Sequence, residues 1–133
     1  MGAQEASYAI ARTVPLAFQE ADERVRDALK NEGFGVLTEI DVAATLKEKL
    51  DVDFPPYRIL GACNPALAHR ALQAEPDVGL LLPCNVVLRA LPDNQTLVEA
   101  LDPVKQLAVA GTPQLDELAR EVRQRITRAI EAV

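Results

Sequence analysis

The chain has 133 residues, of which 49% are hydrophobic and 26% charged, and a formal net charge of −6. This length and composition are typical of a single globular domain, residues 1–133, with a core of its own. Because the surplus carboxylates repel phosphate groups, we expect neither a nucleic acid nor an anionic membrane surface as a partner. The start of the chain lacks the features of a secretory signal, and there are two cysteines, so we expect a cytoplasmic protein with reduced thiols.

The first half of the chain is predicted to hold two strands and two helices. Residues 7–12 alternate weakly and are predicted as a strand, after which Pro15 can begin a helix that Gly33 ends. One face of that helix carries the apolar residues Phe18, Ala21, Val25, Ala28 and Leu29. Residues 34–40 alternate as a second strand, and Asp41 is predicted to cap a short helix.

The middle of the chain is predicted to contain a strand, a helix and an extended connection. Residues 57–63 are predicted as the third strand. Asn64 is a good helix cap and Pro65 fits the first helical position, so a helix is expected to begin directly after Cys63. The apolar residues 78–83 are predicted as a buried extended connection.

The last third is predicted to form a hairpin, a short turn and a long helix. Residues 84–91 and 96–101 are predicted as strands joined by turn-forming residues. Asp102 begins the short turn, and Thr112 is predicted to cap the final helix. Apolar residues recur along one face of that helix at Leu115, Leu118, Val122, Ile126, Ile130 and Val133.

These elements favour an α+β fold. The strands alternate loosely rather than forming continuous apolar runs, which favours an antiparallel sheet with one covered face. The two long amphipathic helices are enough to cover that face. The predicted order is one strand, a helix, four strands and a helix, with short helices in two of the connections.

Two segments carry a resemblance to a known family. They are Cys63-Asn64-Pro65-Ala66-Leu67-Ala68 and Leu80-Leu81-Leu82-Pro83-Cys84-Asn85-Val86-Val87, with Asp102-Pro103 after them. Together they resemble the pattern of domain-of-unknown-function family 302, from about Tyr8 to the last helix. The resemblance implies a curved antiparallel five-stranded sheet with two helices on one face, similar in topology to half of a TATA-binding protein. That family has no assigned activity, so the resemblance implies no function.

The two cysteines are the main chemical candidates. In an antiparallel pair, the end of the third strand and the start of the fourth lie at one edge, so Cys63 and Cys84 are predicted to be neighbours. The helix N-terminus favours a thiolate at Cys63. One hypothesis is therefore a thiol-dependent redox or nucleophilic activity, with Cys84 as the resolving thiol and His69 as a proton carrier. The hypothesis that we favour treats both thiols as small buried hydrophobes, because they lack the Cys-x-x-Cys spacing.

Other site chemistries are weaker. Cys63, His69 and Cys84 are the only soft metal ligands in the sequence apart from one methionine, and none are closely spaced, so we predict no metal and no cofactor. A serine triad and a glycine-rich phosphate loop are also not indicated, because the chain has one serine, one histidine and no such motif.

The remaining candidate is a surface. We expect Arg58, Leu60 and Ala62 of the third strand to share the uncovered sheet face with Asn85, Val87 and Arg89 of the fourth. Such a face can be a ligand groove or a dimer interface, and a homodimer is the commonest use.

The leading hypothesis is thus a non-enzymatic domain that binds a small ligand or a second copy of itself. Its predicted ligand-binding residues are Cys63, Asn64, Cys84, Arg58 and Arg89. The sequence does not identify the ligand.

Overall fold

The computed structural model describes residues 6–133 and shows an α+β fold built on one five-stranded sheet. The elements in chain order are β1 (Ala9–Val14), α1 (Phe18–Asn31), β2 (Gly35–Asp41), α2 (Val42–Leu50), β3 (Tyr57–Cys63), α3 (Pro65–Ala74), a 3₁₀ helix (Pro76–Leu81), β4 (Cys84–Leu91), β5 (Gln95–Leu101), α4 (Pro103–Ala108) and α5 (Gln114–Glu131). The strand order is β1-β5-β4-β3-β2, and every neighbouring pair is antiparallel. The predicted antiparallel sheet and element order are confirmed.

The long helices α1 and α5 pack side by side on one face of the sheet. Their apolar stripes meet the alternate residues of the strands that face them, and these side chains form one hydrophobic core. The largest fully buried members of this core are Val14, Val25, Leu29, Leu60, Val78, Val86, Leu88, Val98, Leu115, Ile126 and Ile130. Within residues 6–133, no helix is both long and apolar enough to cross a membrane.

Several predicted helix signals are seen in the structure. The side chain of Asp41 accepts the N–H of Ala44 at 2.9 Å and caps α2. Gly33 has a φ of +86°, the left-handed conformation expected where α1 ends. At the β4–β5 turn, Asp93 and Asn94 also have positive φ, at 62° and 57°.

Two predictions in the connections were wrong. Residues 78–81 are not extended: a 3₁₀ helix runs through Pro76–Leu81, beginning where the carboxylate of Glu75 accepts the N–H of Asp77, and the chain becomes extended only at Leu82. Thr112 does not cap α5, since its hydroxyl donates to the Glu75 carboxylate at 2.9 Å instead.

The start of α1 also differs from the prediction. β1 keeps its pairing with β5 as far as Val14, so the helix begins at Phe18 rather than at Pro15.

The predicted facing of β3 was wrong by one residue. Arg58, Leu60 and Ala62 lie on the face covered by the helices, and Leu60 is 0% exposed. The open face instead carries Tyr57, Ile59 and Gly61 from this strand. These residues pair with Arg89, Val87 and Asn85 of β4. A shift of one position moves every side chain of a strand to the other face. Here apolar residues occupy both phases of the alternation, so the sequence pattern did not decide between them.

Candidate functional site

The candidate site is at the edge of the sheet where β3 ends and β4 begins. Ala62, the last residue but one of β3, is paired with Cys84, the first residue of β4. Helix α3 begins directly after Cys63, so three element ends meet at this edge. The predicted proximity of the two cysteine-bearing segments therefore follows from the antiparallel pairing.

Asn64 fixes the start of α3. Its Oδ1 accepts the N–H of Leu67 at 3.3 Å, as expected of a helix cap, and Pro65 is the first helical residue. Its Nδ2 donates to the backbone oxygen of Glu32 at 3.5 Å. Asn64 is 9% exposed, and it therefore ties the beginning of α3 to the end of α1.

Behind Asn64 lies a cavity of about 160 Å³ between the sheet edge and helices α3, α4 and α5. Its walls are almost entirely apolar and include Phe34, Leu67, Ala71, Leu107, Leu118 and Val122. Cys63, Asn64 and Cys84 line the same cavity, so the structure brings together three of the five predicted ligand-binding residues.

Exposed apolar residues lie at the mouth of this cavity. The register between β2 and β3 shifts between Val36 and Thr38, so that Leu37 is left unpaired in a β-bulge. Leu37 lines the cavity and is nevertheless 68% exposed. Pro83, which is also exposed, lines it as well. Bulges often redirect a side chain next to a site, and here the bulge places a large apolar side chain at the entrance.

The two cysteines of the chain are both free thiols. Burial, with a smaller contribution from the negative charge that Cys63 would carry, raises the pKa of Cys84 from 9.0 to about 11. Cys84 therefore keeps its proton at neutral pH and behaves as a small apolar side chain with a weak S–H donor.

His69 is not brought to the cysteines. It lies on the exposed side of α3 and does not line the cavity. The hypothesis of His69 as a proton carrier for Cys63 is therefore not supported by its position. Among residues 6–133, no group of three or more His, Cys, Asp or Glu side chains is arranged to hold a metal ion.

The two predicted arginines lie on opposite faces of the sheet. Arg58 is under α1, where it donates to the buried carboxylate of Asp22 at 2.8 Å, and Arg26 donates to the same carboxylate at 2.6 Å. Burial by itself would raise the pKa of Asp22, but the hydrogen bonds and charges of the two arginines outweigh it and hold the pKa below 3.8. The role of Arg58 in this arrangement is structural, because its guanidinium neutralises a buried charge.

Arg89 lies on the open face, where its Nε is 3.7 Å from a carboxylate oxygen of Glu99 on β5. Neither Arg58 nor Arg89 lines the cavity. The five predicted ligand-binding residues therefore do not form one site.

Sequence reasoning missed a polar residue in the cavity wall, Gln106 of α4. Gln106 is 7% exposed, and its Nε2 donates to the backbone oxygens of Leu81 and, at 3.3 Å, Pro83. Its Oε1 is buried and has no hydrogen-bond partner within the part of the chain that the structure describes. Nothing in the sequence around a glutamine in a short helix indicates that its side chain will line a cavity.

Comparisons with known proteins agree with this architecture. The family model "Domain of unknown function DUF302" matches residues 10–133. The crystal structure of an uncharacterized conserved protein DUF302 from Bacillus stearothermophilus is similar, with a TM-score of 0.88 and 32% identity. That match covers 96% of this chain and 98% of the other. The comparison with curated proteins gave no significant match.

Proposed function

The chain belongs to family DUF302, a domain of unknown function, and from its cavity we propose that it is a non-enzymatic domain that binds a small, largely apolar molecule. The single observation that carries this proposal is the apolar cavity of about 160 Å³ at the sheet edge, with Leu37 and Pro83 at its mouth. Ligand sites are typically concave, mostly apolar and supplied with a few polar groups.

The size of the cavity indicates the size of the ligand. An engineered apolar cavity of about 150 Å³ in another protein stays dry and binds benzene. A cavity of 160 Å³ is therefore large enough for a single substituted aromatic ring or a short branched chain. It is too small for a nucleotide or a typical cofactor, which need a pocket of about 300 Å³ or more.

The alternative of a thiol-dependent activity has less support. A nucleophilic thiol needs a stabilised thiolate and a nearby base. Burial raises the pKa of Cys84, the resolving thiol in that hypothesis, to about 11, and His69, its proton carrier, lies outside the cavity.

Binding of toluene to the purified protein tests the proposal. We expect the melting temperature to rise with toluene concentration, because a ligand that binds only the folded state stabilises it. At ten times Kd the gain is about 1.4 kcal/mol. The variant Ala71→Leu adds a bulky side chain at a cavity-lining position that is 3% exposed, and it should abolish the shift.

A matched control uses the same substitution on the same helix. Ala66 is exposed on α3 and does not line the cavity, so Ala66→Leu should keep the response to toluene. If Ala71→Leu does not fold, the half-buried lining residue Ala68 offers a second filling variant, Ala68→Leu. Equal responses of the wild type and a folded filling variant would contradict binding in the cavity.

A homodimer formed through the open sheet face is a second proposal. It is supported by the apolar residues on that face, where Ile59 of β3 pairs with Val87 of β4 and with Ile40 of β2, which is 50% exposed. Light scattering at tens of micromolar should give the mass of a dimer. Ile59→Glu should shift it to the monomer mass of 14.4 kDa.

We propose action in the cytoplasm, which the two free thiols support.

A further inference from the structure

Two charged residues on the open face of the sheet indicate how two copies of the chain meet. We infer that the copies pack open face to open face, with Arg89 of each copy paired with Glu99 of the other. This pairing rests on the homodimer proposed above and deepens it, because it names the residues that each copy contributes to the other.

Few charged residues occur on the open face. Among the strand residues of the described chain, 6–133, only Arg89 and Glu99 bring a charge to it, because the other charged strand residues alternate onto the face that the helices cover. Charged residues make up 26% of the whole chain, so this face is depleted of charge. Such depletion is typical of the central part of a protein interface.

Glu99 lies in an apolar part of this face. One row of paired residues crosses all five strands and reads, in sheet order, Ala11, Glu99, Val87, Ile59 and Ile40. The Glu99 side chain is 19% exposed, and its Oε1 lies 3.7 Å from Nε of Arg89, which is too far for a hydrogen bond. Each of these two charges can therefore take a further partner of opposite sign.

A second copy of the chain supplies that partner. A face with one positive and one negative group is complementary to itself. A two-fold axis that lies between the faces and passes midway between Arg89 and Glu99 brings each arginine to the glutamate of the other copy. The net charge of −6 on the whole chain opposes association, whereas on the open face itself the two charges cancel.

The open face is also large enough. Five strands of about 20–24 Å, spaced about 4.8 Å apart, give a face of about 500 Å². Two copies together would bury about 1,000 Å², which is at the lower end of specific interfaces. At that size the contact depends on the complementarity of its few charged groups.

Charge reversal tests the pairing. Arg89→Glu leaves two carboxylates on the face, and Glu99→Arg leaves two guanidinium groups. Each variant alone should dimerise at least about 100-fold more weakly than the wild type, because like charges then meet across the interface. An equimolar mixture of the two should form a heterodimer with a Kd within about tenfold of the wild-type value, since each negative face meets a positive one. Sedimentation velocity measures the Kd values, and native mass spectrometry identifies the heterodimer.

Two controls accompany the single variants. The double variant that carries both Arg89→Glu and Glu99→Arg restores one charge of each sign and should dimerise like the wild type. Arg24→Glu and Glu20→Arg are the matched pair, because they reverse two charges that lie 3.6 Å apart on α1, on the other side of the sheet. Both should leave the dimer unchanged.

The outcomes separate this pairing from the proposals above. If either folded single variant dimerises like the wild type, or if the folded mixture stays monomeric, the pairing is wrong. A monomeric wild type would overturn the homodimer and the pairing together, while toluene binding in the cavity is decided separately.

A measurement on the wild type keeps the test open if a single variant does not fold. A soluble gadolinium chelate should broaden the methyl signals of Ile40, which is 50% exposed, less at high protein concentration than at low. The methyl signals of Leu80, which is 88% exposed, should broaden equally at both. Equal broadening of Ile40 at both concentrations would overturn the contact between open faces.

Discussion

The protonation state of Cys84 can be tested through its reactivity. In the variant Cys63→Ser, Cys84 is the only thiol of the chain. Burial is the main cause of its raised pKa and is kept in this variant, whereas the smaller contribution from Cys63 is lost. The variant therefore isolates the effect of the cavity on one cysteine.

The expected rate follows from the two pKa values. With the pKa raised from 9.0 to about 11, the thiolate fraction at pH 8 falls roughly 100-fold. A thiolate of higher pKa is intrinsically more nucleophilic, with a Brønsted coefficient of about 0.4–0.5, which restores about 6–10-fold. The value of about 11 includes the contribution of Cys63, which the variant lacks, so protonation should slow the folded variant by up to about 10–20-fold relative to the unfolded chain, and restricted access can only slow it further.

The assay is alkylation by iodoacetamide, followed by mass spectrometry from pH 7 to pH 11, with and without urea. In the folded protein the rate should still be rising at pH 10, whereas in urea it should level off above pH 9. The variant Cys84→Ser serves as the comparison. Its only thiol is Cys63, at the end of β3, so it gives the alkylation rate of a cysteine at a different position. A folded-state rate that levels off near pH 9 would refute the argument from burial.

The same pKa values predict a change in stability with pH. Between pH 9 and pH 11 the unfolded chain loses the Cys84 proton while the folded protein keeps it. The unfolded state then binds fewer protons, so the free energy of unfolding falls as the pH rises through this range. The stability contributed by the neutral thiol is fully present below pH 9. Urea unfolding of Cys63→Ser and of the variant without either thiol gives a stability difference at pH 8, and this difference should change by pH 10.5, because only Cys63→Ser contains the titrating thiol.

Four further substitutions have expected outcomes that urea unfolding can measure. Asn64→Ala should cost about 0.5–2 kcal/mol through the lost cap, and no loss would show that the cap is not formed. Gly61→Ala should cost about 1–3 kcal/mol, because the new Cβ would lie 2.1 Å from Thr38 Oγ1; an unchanged stability would place Thr38 elsewhere. Asp22→Asn should cost about 1.5–3 kcal/mol, since it removes the charged acceptor that Arg26 and Arg58 share, and the loss should shrink at a pH low enough to protonate the wild-type carboxylate. Ala71→Leu should raise stability by about 0.5–2 kcal/mol if its side chain fills the cavity, and a large loss would mean that the space there cannot accept it.

The strands of the site could be predicted closely from the sequence. The bounds of β3 and β4 are those predicted, Tyr57–Cys63 and Cys84–Leu91, because proline or a helix cap lies next to each end. The face that each residue of β3 presents could not be predicted. Ile59 and Leu60 are adjacent and both apolar, so only packing against α1 and α5 determined that Leu60 is the buried one.

The cavity itself could be predicted only in part. Cys63, Asn64 and Cys84 were found because their element ends are marked locally and an antiparallel pair brings them to one edge. Gln106 and Leu37 carry no local signal. Leu37 reaches the mouth through a bulge in the β2–β3 register, and Gln106 reaches the wall through the packing of α4 on α5. Both depend on contacts between distant parts of the chain.

The cavity gives a reason for the small residues in its wall. Between larger side chains such as Phe34 and Leu118, the wall contains the small residues Ala62, Ala71, Cys63 and Cys84. A closed, empty cavity of this volume would cost about 4 kcal/mol, at about 24 cal/mol per Å³. This cavity is open at Leu37 and Pro83, so the cost of leaving it unfilled is smaller. Larger side chains at these positions would recover much of this free energy, so a binding role gives a physical reason for keeping the space open.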